Sequence, residues 1–93
     1  MTAEARQAQL DERAAALGRT WASSCRRDLG REGRAACGGW PGTLNEARAR
    51  VREMLASARN PGGYTEAERE HAARAVYRSA RDEWRRHSVP EGD

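Results

Sequence analysis

Residues 43–69 read TLNEARARVREMLASARNPGGYTEAER, and two signals in this stretch decide the fold. Thr43-Leu44-Asn45-Glu46 and Thr65-Glu66-Ala67-Glu68 are capping boxes. In each, the threonine hydroxyl accepts from the amide three residues on, and the glutamate reaches back to the threonine amide. Between them, Asn60-Pro61-Gly62-Gly63 interrupts any helix, because the residue before a proline is pushed out of the α region. The stretch predicts a helix over about 43–59 and a second one starting at 65. Leu44, Ala47, Val51, Met54 and Ala58 follow one another in steps of three and four, with Leu55 flanking. Beyond the second box the same phasing runs to about His87. Ala73, Val76, Ala80 and Trp84 form its inner face, with Ala72 and Tyr77 at the margins. A Pro-Gly-Gly connector suits an antiparallel helical hairpin. The helix-turn-helix of DNA readers fits less well, since both flanking helices are longer than that motif uses.

Towards the N-terminus a third helical pattern covers about 3–29. Thr2 can cap it, and Leu10, Ala14, Leu17, Trp21 and Cys25 fall on one stripe. The stripe passes through Gly18 in phase, which reads as a weak point in a continuous helix. Arg26 and Arg27 suit the negative pole of the helix dipole, and Gly30 is a terminator. Twenty-seven residues at 1.5 Å each make a rod of about 40 Å. The reading is therefore all-α: helices at about 3–29, 43–59 and 65–87, the last two an antiparallel hairpin. Residues 1–87 form a single small domain with a glycine-rich loop at 30–42, and 88–93 are a frayed tail.

Composition limits what such a domain does. Among 93 residues all 17 basic side chains are arginine, and lysine, phenylalanine and isoleucine are absent. That excludes Schiff-base chemistry and the lysine-bearing phosphate loop. Leucine and valine total eight against eighteen alanines, so large apolar side chains are few. A second chain, as a homodimer or a protein partner, is expected to complete the core. No apolar run approaches the roughly 18–20 residues that span a bilayer, and no charged-then-apolar leader is present. The expectation is a cytoplasmic protein without a membrane contact.

Catalytic and metal constellations are hard to assemble. Cys25 and Cys37 lie twelve apart and His71 and His87 sixteen apart, neither pair with the short spacing of a structural zinc site. The cysteines read as reduced thiols, and no cofactor or metal is assigned. Ser23 and Ser24 lack an adjacent base, and His71 lacks the second histidine of a metalloprotease helix. The chain reads as a non-enzyme.

Partner binding remains, and charge gives the best hint. Residues 25–50 carry +3 and 74–87 carry +3, while 51–73 carry −1. In the last helix Arg74, Arg78, Arg81 and Arg85 form one stripe opposite the apolar face. Such a stripe can track a phosphate backbone. It can equally be a solvated face laced by Glu70–Arg74, Arg78–Asp82 and Asp82–Arg86 pairs. The glycine-rich segment adds Arg31, Arg34 and Trp40 as candidate contacts, although Trp40 is better read as a plug for a poor core than as a base-stacking platform. The leading functional reading is a small accessory or regulatory protein that works through helix-mediated contacts with another protein or a second copy of itself, inside a nucleic-acid-handling complex. The alternative is a DNA- or RNA-binding protein that uses the arginine stripe directly.

Overall fold

A computed structural model describes residues 2–56 and 63–87, which form three helices: α1 (Ala3–Cys37), α2 (Leu44–Ala56) and α3 (Glu66–His87). The all-α reading is correct. Both capping boxes close as the sequence requires. The Thr43 amide donates to Glu46 Oε1 at 2.8 Å while the Glu46 amide donates to Thr43 Oγ1 at 3.1 Å. Thr65 and Glu68 repeat the exchange at 2.7 and 3.1 Å. Thr2 caps α1 by accepting from the Ala5 amide. The expected end of the second helix (57–59), its Asn60-Pro61-Gly62 stop and the tail at 88–93 lie outside the described residues.

Contacts climb α1 and α3 together. Arg6 meets Glu68, Asp11 meets His71, and the Ser79 hydroxyl donates to the Ala15 carbonyl at 2.7 Å. These two helices therefore run parallel. Helix α2 runs antiparallel to α3, with Arg48 of α2 against Glu70 and both Arg52 and Ala56 beside Glu66 and Arg69. The chain goes up, down and up.

Among the described residues, seven of the thirteen buried apolar ones are alanine: Ala14, Ala22, Ala47, Ala72, Ala73, Ala75 and Ala80. Small side chains at those positions let helix axes approach closely, so the shortage of bulk is met by proximity. Leu10, Trp21, Val51, Leu55, Val76 and Trp84 fill the remaining space, with Leu17, Leu44, Met54 and Tyr77 packed at the margin. Among the described residues Leu29 is the large apolar side chain left exposed, at 40%.

Gly18 is the tightest point of this packing. A Cβ there would run into the Val76 carbonyl oxygen and come within 2.9 Å of Ser79 Cβ and 3.0 Å of the Ala80 amide. The residue that looks like a weak point along α1 is the place where α1 and α3 touch backbone to backbone.

The glycine-rich stretch departs from expectation. Helix resumes at Arg31 and continues to Cys37, so the loop between α1 and α2 is only 38–43. Gly30 alone is non-helical, at φ 69 and ψ −177. A single glycine turns the chain, and Arg31 to Cys37 contain only one further glycine, too few to stop a two-turn helix from forming again. Gly38, at φ 80, ends it by donating its amide to the Arg34 carbonyl.

Gly18→Ala is expected to lower the unfolding free energy by roughly 1–3 kcal/mol through overpacking, although alanine is the better helix former. Gly39→Ala, with open space around it, should stay within about 0.5 kcal/mol of the parent. Urea titration of the two variants separates the close-contact role from a general intolerance of glycine replacement.

Candidate functional site

With alanines turned inward on α3, its arginines occupy the outer face. Arg74, Arg78 and Arg85 are exposed, and Arg81 is half-buried beside them. Arg74 Nε lies 3.3 Å from Glu70 Oε2. That carboxylate is already held from α2 by Arg48 through two bonds of 2.8 and 2.9 Å. The Arg81 guanidinium sits 6.0 Å from the Tyr77 ring centre and 3.9 Å from Asp82. Arg78 and Arg85 have no ion pair among the described residues. Seven residues apart on one face, they stand about 10 Å from each other along the helix.

The laced face expected from sequence forms only in part. Glu70–Arg74 is present, but Arg78–Asp82 and Asp82–Arg86 are replaced by Arg81–Asp82 and by Arg86–Glu83 at 3.5 Å. An aspartate is too short to serve both neighbouring turns, whereas the longer and more buried Glu83 reaches Arg86. The exchange moves the unpaired positions rather than adding to them: the sequence spacing leaves Arg81 and Arg85 without an acid, whereas among the described residues Arg78 and Arg85 are the unpaired members of the row.

The other candidates lie elsewhere. Arg31 is exposed and Arg34 half-buried, both on the short helical arm 31–37, and no hydrogen bond or ion pair joins them to the α3 row among the described residues. Parallel packing of α1 and α3 does bring further arginines to the same end of the molecule. Arg19, Arg26 and Arg27 on α1 climb alongside Arg78, Arg81, Arg85 and Arg86. These two basic blocks are distant in sequence, and only the direction in which the helices pack joins them.

Trp40 is half-buried and belongs to the core rim. Its ring lies edge-on to Trp21, with centroids 4.8 Å apart, and tilted against Trp84 at 5.4 Å. Gly42 makes room for it: a Cβ there would collide with the Trp40 ring and reach within 2.8 Å of Trp21. The Trp40 indole nitrogen is buried with no acceptor among the described residues. Arg50 covers Trp21 at 4.4 Å from the ring centre. This packing agrees with a plug and takes the ring away from any stacking surface.

The thiols are unbridged. Cys25 is half-buried, Cys37 is exposed, and no group of metal-ligating side chains converges among the described residues. Burial pushes the Cys25 thiol up, against the nearby Arg50, which favours the thiolate; the thiol form suits a packed residue rather than a nucleophile. His71 is spent on an interhelical tie, its Nε2 lying 3.0 Å from Asp11. An open groove between α2 and α3 is lined by Arg48, Arg52, Arg69, Glu66 and Glu70. Its arginines are largely committed within the protein, Arg48 to Glu70 and Arg69 to the Tyr64 carbonyl. No helix among the described residues is long and apolar enough to cross a membrane. No protein family, curated protein or solved structure matches this chain.

Trp40→Ala should cost about 2–3 kcal/mol, below the roughly 3–5 kcal/mol of a fully buried tryptophan such as Trp84. Loss of a blue-shifted fluorescence component in the Trp40 variant, with a lowered melting temperature, is the expected pair of readouts.

Acid should loosen the fold in a defined window. The hydrogen bond from Arg48 holds the Glu70 carboxyl below its ordinary value of 4.5, and the Thr65 amide does the same for Glu68. Carboxyls with depressed folded-state values add stability that is fully present above the ordinary value and lost as pH falls through the folded one. The melting temperature is expected to hold above pH 4.5 and to decline below it. Glu70→Gln should make that decline shallower.

Proposed function

We propose that this chain is a small non-enzymatic accessory protein that works by laying the outer face of α3 on an acidic partner within a nucleic-acid-handling assembly. The observation that supports this reading is the row Arg74, Arg78, Arg81 and Arg85. It uses positions that the core does not need, and two of its members have no internal acid among the described residues. A rigid helix presents such a row at fixed spacing, which favours recognition over chemistry. In the leading reading the acidic partner is a protein surface.

The unpaired state of Arg78 and Arg85 favours a second reading, in which the same row contacts the phosphate backbone itself. Salt dependence distinguishes them. Direct contact through three or four arginines predicts that log affinity for duplex DNA or RNA falls with log salt at a slope of about −3. Arg78→Ala and Arg85→Ala should each reduce that slope by about 1. Anisotropy that stays flat at every salt concentration, with the parent and both variants alike, assigns the face to a protein partner.

A further inference from the structure

We propose that Gly30 is a hinge that converts α1 from its kinked form into one straight helix, and that the straight form exchanges α2 and α3 between two copies of this chain. The proposal is independent of what the arginine face binds.

Gly30 is the single residue of α1 with non-helical angles, and helix flanks it on both sides. Its combination of positive φ and extended ψ is a region that only glycine occupies readily. Nothing lies within 4 Å of the position a Cβ would take, so close packing is not the reason for glycine here. The arm beyond it is loosely held: Arg31, Glu32, Ala35, Ala36 and Cys37 are all exposed. What anchors its far end is the Trp40 ring between Trp21 and Trp84.

A straight α1 cannot keep that anchor within one chain. From Trp21 to Cys37 is sixteen residues, or about 24 Å of helix. The steps through Gly38 and Gly39 to Trp40 span at most about 10 Å. Trp40 would therefore leave its own Trp21, and α2 and α3 would follow it. The bared face of α1, with Leu10, Ala14, Gly18 and Trp21, would then fit the α3 and Trp40 of a second copy. The contacts of α1 with α3 and Trp40 would reform between chains while those between α2 and α3 persist within each, so the two states differ chiefly at the hinge.

The sequence supports the straight form independently. Leu29, Gly33 and Ala36 continue, in steps of four and three, the stripe that runs through Trp21 and Cys25. While Gly30 is kinked this continuation is folded on itself at the bend, with Gly33 so close to Leu29 that a Cβ there would lie 2.9 Å from the Leu29 Cβ. Leu29, the exposed large apolar side chain, lies on it. In the exchanged dimer the two arms emerge together and can pair through this stripe.

Two mirror-image substitutions test the hinge, in chains assembled by chemical ligation at Cys37. Gly30→Ala disfavours the kink and favours the helix, shifting the balance towards dimer by roughly 100-fold per chain. D-alanine at position 30 adds the same atoms but is at ease at φ 69, so it locks the kink. Each chain is refolded from denaturant at micromolar and near-millimolar concentration, and its mass is measured by light scattering after gel filtration. The expected result is a dimer for Gly30→Ala at both concentrations, with unchanged tryptophan fluorescence, and a monomer for the D-alanine chain at both. Leu29→Arg in the Gly30→Ala background should shift it back towards monomer. A Gly30→Ala chain that stays monomeric, or that fails to fold at any concentration, overturns the proposal. So does a D-alanine chain that dimerises as readily.

Discussion

At Gly18 the backbone of α1 lies directly against the backbone of α3, and the rest of the architecture depends on that contact. A Cβ would meet the Val76 carbonyl oxygen, so the two helices are as close as main chains allow. Alanines above and below, Ala14 and Ala22 on one side and Ala72 and Ala80 on the other, extend the seam. Ser79 locks its register by donating to the Ala15 carbonyl at 2.7 Å. Close approach multiplies dispersion contacts along two helices that carry few large side chains. It also explains how a chain with eighteen alanines encloses two of its tryptophans almost completely.

The seam fixes the placement of charge. Because α1 and α3 run parallel, the basic C-terminal parts of both lie at one end, where the negative poles of two helix dipoles favour cations. Their N-terminal parts carry acids, Glu4, Asp11 and Glu12 on one and Glu66, Glu68 and Glu70 on the other. An antiparallel pair would have set acid against base and left little asymmetry. The charge separation of this molecule thus follows from helix order, and helix order follows from α2 returning the chain to its starting level.

Some of this is legible in the sequence and some is not, for physical reasons. Capping boxes at Thr43 and Thr65 and the cap at Thr2 are local signals with local causes, and they place three helix starts correctly. Gly30 does end a straight segment, as its position after Leu29 suggests. Helix 31–37 is hidden because five glycines and a proline between residues 30 and 42 suggest a loop. All but Gly33 in fact lie outside that helix, before Arg31 or after Cys37, and the interior has enough helix formers to absorb one glycine. Gly18 misleads because a propensity scale records what glycine does to its own helix, not what its missing side chain allows a neighbour to do. Ion-pair partners on α3 are half legible: spacing identifies which residues are neighbours, but side-chain length and burial decide which of them pair.

The arginines divide by the same logic, and the division narrows where function can reside. Several serve the fold. Arg6 lies over the Tyr64 ring at 4.4 Å, Arg50 over Trp21, Arg48 ties α2 to Glu70, and Arg69 donates to the Tyr64 carbonyl. Their flat guanidinium groups shield aromatic rims and close helix ends where a better-endowed core would use leucine. Removing any of these weakens packing as well as charge, so loss of binding in such a variant says little about a binding face. Arg78 and Arg85 are different. They touch no ring and no acid among the described residues, and they share one face of the most buried helix. Exposed cations that a fold does not use still repel their basic neighbours, a standing penalty that an acidic partner relieves. On a helix whose inner face is alanine and whose position is set at Gly18, that pair is both rigid and unengaged, which is what a recognition surface requires.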